Sequence, residues 1–199
     1  MSHTTSVTKR PAVLADALPG AWARDIALVI AAALFTALLA QISIRVPGSP
    51  VPVTGQTLAV VIAGASLGAY RGGAALSLYA LLGLYLPFYA DGESGVDVIT
   101  GATGGYIVGF IVAAFLIGKL AEAGADRKLH LAFLAFCLGQ LAVFGIGVPW
   151  LKVVADMSWG DAIHNGFALF IVGGLIKAAL AGALTPLAWR AVKRADAAE

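Results

Sequence analysis

The sequence predicts an all-α, polytopic membrane protein built as a bundle of six transmembrane helices. Hydrophobic residues make up 60% of its 199 residues, and charged residues only 12%, which is far from the composition of a soluble domain. The charges lie at the borders of long apolar runs such as 26–44, 98–118 and 129–151. Strands of a membrane β-barrel would alternate polar and apolar residues. These runs do not alternate, and helices are therefore predicted.

Six runs are long enough to cross a bilayer, whose core of roughly 30 Å takes ~20 helical residues. The predicted membrane domain covers residues 25–192, with a disordered tail over 1–24 and a short tail over 193–199. A cleaved signal peptide over 26–40 is disfavoured, because its removal would leave five spans. The six predicted spans lie near residues 25–44, 53–70, 72–90, 104–124, 129–151 and 162–190.

The basic residues orient this bundle. With six spans both termini lie on one side, which then holds ten Lys or Arg residues, whereas only Arg45 and Lys152 lie opposite. Excess Lys and Arg marks the cytoplasmic side, so we expect a protein of the cell membrane with both termini in the cytoplasm. The formal net charge of +2 reflects this topology and gives no support for nucleic-acid binding.

Lys177 is the strongest functional signal, because it lies within the last apolar run. A lysine at the bilayer centre costs about 2.5–3.5 kcal/mol on insertion scales, and it usually faces a partner or a polar cavity. Arg190 is thirteen residues further on, roughly 20 Å along a helix, so Lys177 is too deep to reach the inner headgroups by snorkelling. Gly173 and Gly174 beside it suit either a bound molecule or close helix packing. The pattern predicts an intramembrane site for a small polar solute.

Three segments at the end opposite the termini supply further candidates for that site. They span residues 45–57, 85–106 and 145–165. Three prolines in the first segment prevent a regular helix. The glycine-rich stretch 101–106 opens the fourth span, where free backbone N–H groups suit an anion, or it forms a simple turn capped by Thr103.

Motifs for catalysis and metal binding point away from an enzyme. The stretch 64–68 matches a nucleophile elbow, but that motif requires a strand–turn–helix, whereas Ser66 lies in an apolar run. The sequence holds no metal-binding motif and no phosphate-binding loop. We expect no catalysis, no cofactor and no ATP use by this chain alone, and Cys137 is expected only to pack.

Three stretches, occurring in order, resemble the BioY family, the biotin-specific substrate-binding (S) components of energy-coupling factor (ECF) transporters. Residues 51–58 resemble the family's Pro-Val-Thr-x-Gln-Thr-Leu, and 101–110 resemble its Gly-Pro-Thr-Gly-Gly-Tyr-Leu-x-Gly-Phe. Residues 173–178 resemble its Gly-Asp-Leu-x-Lys-Ala. Each motif alone is weak, but the ordered set within a six-span chain is specific.

The resemblance implies a six-helix ECF S-component fold and high-affinity capture of biotin from outside. Biotin would be a transported ligand rather than a cofactor, and the partners would be a transmembrane T subunit and two cytoplasmic ATPase subunits. The first span resembles the surface that docks the T subunit through Ala27, Ala31, Ala33 and Ala37, although these alanines also suit internal packing. The predicted ligand-binding residues are Lys177, Thr103, Gly104, Gly105, Tyr106, Tyr85, Gln56, Asn165, Trp150 and Phe170.

Three positions depart from the family pattern. Gly174 stands in place of an aspartate, so Gln56, Asn165 or a backbone carbonyl would have to accept hydrogen bonds from the ureido N–H groups of biotin. Ala102 replaces a proline, and Arg45 is either a ligand of the biotin carboxylate or an exposed loop residue. The alternatives are an S component for another vitamin and a stand-alone carrier or channel, which would need a continuous polar stripe.

Overall fold

The computed structural model describes residues 12–18, 20 and 22–196. Over these residues the chain is almost entirely helical, which confirms the predicted fold class. A short antiparallel pair of strands, β1 (Ser43–Ile44) and β2 (Val53–Thr54), lies between the first two helices. The α-helices are α1 (Trp22–Ala40), α2 (Gln56–Leu67), α3 (Ala69–Leu82), α4 (Val96–Thr100), α5 (Gly104–Glu122), α6 (Leu129–Val154), α7 (Trp159–Gly166) and α8 (Ile171–Asp196).

Four segments of the described chain are long and apolar enough to cross a membrane: α1, α5, α6 and the segment Trp159–Val192, which contains α7 and most of α8. The second and third predicted spans are shorter than expected. Helix α2 has 12 residues and α3 has 14, about 18 and 21 Å against a hydrocarbon core of about 30 Å. Gly68, with φ of 84°, ends α2 and lets α3 begin at the next residue.

The bundle has two different ends. The loop end carries the α1–α2, α3–α5 and α6–α8 connections (residues 41–55, 83–103 and 155–170), and the turn end carries the α2–α3 and α5–α6 turns. Because α2 and α3 are short, loops rather than helices complete the wall at the loop end. Non-helical backbone is tolerated at membrane depth only where protein buries it or a cavity borders it.

Helix α5 lies at the centre of the bundle, packed against α2, α3 and α6. Its close approach to the α2–α3 turn depends on Gly118, because a methyl group there would overlap the backbone of Gly68 and Ala69. Ala113 and Ala114 on the same helix are fully buried. Small residues thus set the spacing of the bundle, as is usual where helices meet in membranes.

Part of the predicted disordered tail is ordered. Val13 is only 1% exposed, and Asp16 accepts a hydrogen bond of 2.6 Å from Arg71 at the turn end. At the other terminus, α8 continues to Asp196, into the predicted C-terminal tail. The remaining tail residues, 1–11, 19, 21 and 197–199, lie outside the described residues.

A buried carboxylate joins α8 to the α5–α6 turn. Asp126 is 1% exposed and accepts a hydrogen bond of 2.5 Å from the indole Nε1 of Trp189. The Arg127 guanidinium lies 4.5 Å from the centroid of the same indole. Burial raises the pKa of Asp126 because it disfavours the charged form, while the Trp189 hydrogen bond opposes that shift.

Replacing Gly118 with Ala should destabilise the bundle by about 1–3 kcal/mol, because the added methyl overpacks the α5 contact with the α2–α3 turn. Thermal unfolding in detergent measures the effect. Gly145→Ala is the matched control, since no atom lies within 4 Å of a methyl group at that helical position. A melting temperature of Gly118→Ala equal to that of Gly145→Ala would contradict this packing.

Asp126→Asn should reduce the dependence of stability on pH. A carboxyl whose pKa is raised in the folded state stabilises the protein fully at low pH. This contribution is lost as pH rises from about 4, the ordinary pKa of aspartate, through the raised pKa of the folded state. Asparagine can still accept from Trp189 but does not ionise. Unfolding measured between about pH 4 and 8 should therefore show a smaller decline for the variant, and identical profiles would argue against the assignment.

Candidate ligand-binding cavity

A cavity of about 280 Å³ lies at the loop end, bordered by α2, α5, α6 and α8 and covered by the first and second connecting loops, residues 41–55 and 83–103. Its volume is close to the lower limit of small-molecule pockets, about 300–1,000 Å³. The cavity has a polar inner part, an aromatic wall and a charged mouth.

Lys177 provides the charge of the inner part. Its ammonium lies 2.5 Å from the carbonyl oxygen of Thr54 and 3.1 Å from the hydroxyl oxygen of Thr57. Thr54 ends β2, just before α2 begins, so its carbonyl is free to accept this bond. Because an ammonium has three N–H donors, one donor remains beyond these two contacts. The buried charge therefore has protein partners, a bordering cavity and capacity for a ligand.

Two glutamines border the same part of the cavity, and they differ in how well they are satisfied. The Gln56 amide nitrogen donates to the Tyr79 hydroxyl at 2.5 Å, and its oxygen accepts from the Thr54 hydroxyl at 2.6 Å. Gln140, on α6, is 7% exposed, and its nitrogen lies 3.4 Å from the Gly174 carbonyl oxygen. The buried Gln140 oxygen, Oε1, has no hydrogen-bond partner among the described residues.

Three aromatic rings, from α5, α6 and the residue just before α8, form one wall. Tyr106 stacks on Phe170 with ring centroids 6.4 Å apart, and Phe144 packs at an angle against both. The Tyr106 hydroxyl donates to the Gly166 carbonyl at 2.9 Å, which joins α5 to the end of α7. Glycine is required at position 147 because the Tyr106 ring occupies the place that a side chain would take. This wall is rigid and largely apolar.

The mouth of the cavity is held by contacts between loops. Arg45 donates to the Asp91 carboxylate at 2.9 Å, with side chains 78% and 28% exposed. Ser49 donates from its hydroxyl toward the Asn165 carbonyl at 2.8 Å, which connects the first loop to α7. Exposed ion pairs contribute about 0–1 kcal/mol, so the cover over the cavity is held less firmly than its walls.

A model of the BioY family matches residues 5–194. The chain belongs to the BioY family. Its relatives include "Biotin transporter BioY" of Rhizobium etli, 33% identical over 173 residues, covering 81% of this chain and 90% of the relative. The "Biotin transporter BioY" of Thermotoga maritima is 38% identical over 156 residues, covering 77% and 90%. The family consists of transport proteins rather than enzymes.

A solved structure shares the fold. The chain described as the S-component for biotin from an ECF-type ABC transporter superposes with a TM-score of 0.78 at 23% identity, covering 84% of this chain and 92% of that one. The predicted six-helix bundle of the ECF S-component type is thereby confirmed. Ser66 lies inside α2, so this BioY family member lacks the strand–turn–helix that a nucleophile elbow requires.

Half of the predicted ligand-binding residues line the cavity, namely Lys177, Thr103, Tyr106, Gln56 and Phe170. The others lie outside the lining. A methyl group at Gly104 would overlap Ile99, and one at Gly105 would overlap Trp150, so both glycines serve close packing. Tyr85 is 85% exposed, Trp150 donates to the Gly101 carbonyl, and Asn165 contributes its backbone carbonyl to Ser49.

The predicted docking alanines separate into two pairs. Ala33 and Ala37 are 1% and 5% exposed and pack inside the bundle. Neither residue therefore lies on the outer surface of the bundle. Ala27 and Ala31 are exposed. Only this second pair remains on the outer surface of α1.

Sequence inspection missed Gln140 and the aromatic residue Phe144 as lining residues. Gln140 carries a signal that could have identified it, because it is the only side-chain amide in the predicted span 129–151. Phe144 carries no such signal, since an apolar span contains many similar residues. Arg45 lines the mouth, and its partner Asp91 could be identified only from the fold.

Proposed function

We propose that this chain captures biotin in the loop-end cavity and is the substrate-binding component of an ECF-type transporter. The observation that carries the proposal is the Lys177 ammonium, which borders a ligand-sized cavity within the membrane domain. A buried cation of this kind usually marks a solute site. The names of the relatives supply the identity of the solute.

The cavity and biotin match in their distribution of polarity. Biotin has a polar cyclic urea at one end, a thioether ring and an aliphatic chain in the middle, and a carboxylate at the other end. The cavity has Lys177 and Gln140 in its inner part, Tyr106 and Phe170 along its wall and Arg45 at its mouth. Lys177 would donate a charge-assisted hydrogen bond to a polar oxygen of the ligand. The protein would do this without a cofactor or a catalytic step.

The orientation in the cell membrane follows from the charges. The turn end carries most of the described basic side chains, whereas the loop end carries Arg45 and Lys152. This asymmetry supports cytoplasmic termini and a cavity that receives biotin from outside. The basic side chains described at the turn end are Arg24, Arg71, Lys119, Arg127, Lys128, Arg190 and Arg194.

The proposed partners are a transmembrane T subunit and two cytoplasmic ATPase subunits. Support comes from two features of this chain. Its sequence contains no phosphate-binding loop, so ATP-driven transport would require other subunits. Helix α1 exposes Ala27 and Ala31 on its outer surface, and small residues four apart let a partner helix approach closely.

Lys177→Met should weaken biotin binding about ten- to hundred-fold, because a hydrogen bond to a charged group contributes about 1.5–3 kcal/mol. Methionine keeps an unbranched apolar side chain, so the membrane domain should still insert and fold. Equilibrium binding of labelled biotin to the purified protein measures the change.

Lys152→Met is the matched control, because Lys152 lies at the loop end outside the cavity lining, with its ammonium 5.8 Å from the centroid of the Trp159 ring. It should bind biotin with wild-type affinity. Wild-type affinity in Lys177→Met would remove this residue from the site. Saturable binding of another vitamin in place of biotin by the wild type would reject the proposed ligand.

A further inference from the structure

We infer that Tyr79 is a positioning residue for Lys177, although Tyr79 lies outside the cavity lining. It acts through Gln56 and Thr54, which connect it to the Lys177 ammonium by consecutive hydrogen bonds. These four residues are called the hydrogen-bonded series below. The inference rests on the proposed function and deepens it, because it names a residue of α3 that controls how firmly the captured ligand is held.

The Lys177 ammonium takes its position from residues outside its own helix. It donates to the Thr54 carbonyl at 2.5 Å and to the Thr57 hydroxyl at 3.1 Å. A lysine ammonium is a point charge on a flexible stem with three rotatable donors, so its acceptors determine where it lies. The positions of Thr54 and Thr57 therefore set the direction of the remaining donor.

Thr54 needs support beyond its own strand. Strand β2 has two residues and pairs with β1 in a two-stranded sheet, and such an isolated pair is marginally stable. The Thr54 hydroxyl donates to the Gln56 side-chain oxygen at 2.6 Å and accepts from the Gln56 backbone N–H at 3.3 Å. A displacement of the Gln56 amide would therefore displace Thr54.

Tyr79 fixes the other end of the Gln56 amide. Its hydroxyl accepts from the amide nitrogen at 2.5 Å, and both side chains are buried. A buried donor that loses its partner costs more free energy than the net contribution of the bond itself. The Gln56 amide is therefore held against Tyr79, and Thr54 is held against Gln56.

Tyr79 is itself closely packed. Its ring contacts Tyr89 edge to face, with centroids 5.9 Å apart. The Tyr89 hydroxyl donates to the Ala80 carbonyl at 2.6 Å, next to Tyr79 on the same helix. Helix α3 in turn packs against α1, α2 and α5. The hydrogen-bonded series thus begins at a fixed side chain in the helix bundle and ends at the ammonium.

Packing alone does not account for the hydroxyl of Tyr79. Phenylalanine would fill nearly the same volume and keep the edge-to-face contact with Tyr89, and swaps that conserve volume are tolerated best in a core. The hydroxyl is needed for the bond to Gln56. Its contribution therefore lies in the hydrogen-bonded series rather than in the shape of the core.

Tyr79→Phe should weaken biotin binding about three- to tenfold, because it removes one bond of the series and leaves the Gln56 nitrogen without this partner. In a Lys177→Met background the same substitution should change the affinity less than about twofold, since no ammonium remains to be positioned. Equilibrium binding of labelled biotin to wild type, both single variants and the double variant measures this coupling. Equal losses in both backgrounds would overturn the inference, because a structural role alone would weaken binding with or without the lysine.

Thr185→Val is the control for loss of a buried hydroxyl. Thr185 lies on α8, about two turns beyond Lys177, and donates to the Ala181 carbonyl of its own helix at 3.2 Å. The variant should bind biotin with wild-type affinity, whatever its melting temperature. A loss as large as that of Tyr79→Phe would show that any buried hydroxyl has this effect, and would overturn the role of Tyr79.

Thr54→Val repeats the test if Tyr79→Phe does not fold. It removes a hydroxyl of the hydrogen-bonded series but keeps the backbone carbonyl that contacts Lys177. It should weaken biotin binding by a similar factor, and again only where Lys177 is present. Unchanged affinity in the folded variant would overturn the inference and leave the proposed function intact. Failure of wild type to bind biotin would overturn both.

Discussion

The contact between the Lys177 ammonium and the Thr54 carbonyl is the constraint on which the rest of the site depends. A cation at this depth needs oxygen partners, and a carbonyl within a regular helix is already bonded to its own backbone. Thr54 can accept because it lies in a strand just before the short helix α2. The short helix leaves space that loops must complete, and the cavity lies beneath those loops. The buried charge, the non-helical backbone before α2 and the cavity therefore depend on one another.

The same arrangement divides the site into a firm part and a loosely held part. The wall is fixed by close helix packing, as at Gly118 and Gly147, where no methyl group fits. The cover is fixed by few polar contacts, including the exposed pair of Arg45 and Asp91. Displacing the cover therefore costs less free energy than separating the helices, and this difference allows a ligand to enter without disturbing the groups that bind it.

The sequence predicted the membrane bundle, its order of spans and the position of Lys177 beside an internal cavity, because these depend on hydrophobicity and on the cost of a buried charge. The sequence overestimated the lengths of α2 and α3. Apolar residues continue beyond the residues at which these helices end, which are Gly68 for α2 and the loop end of the bundle for α3. It placed Gly105 in the site because glycine suits both anion binding and close packing, and only the position of Trp150 distinguishes the two. It missed Gln140 because no motif marks that position.

The two glutamines that line the cavity differ in their hydrogen bonding, although they are the same residue type. Gln56 is the residue that the sequence motif highlights, yet both ends of its amide are bonded to protein, which makes it a brace between β2, α2 and α3. Gln140 is outside every motif, yet its oxygen is left without a donor among the described residues. A side chain whose donor and acceptor are both bonded to protein holds the cavity walls together, and its place in a family motif does not by itself make it a ligand contact.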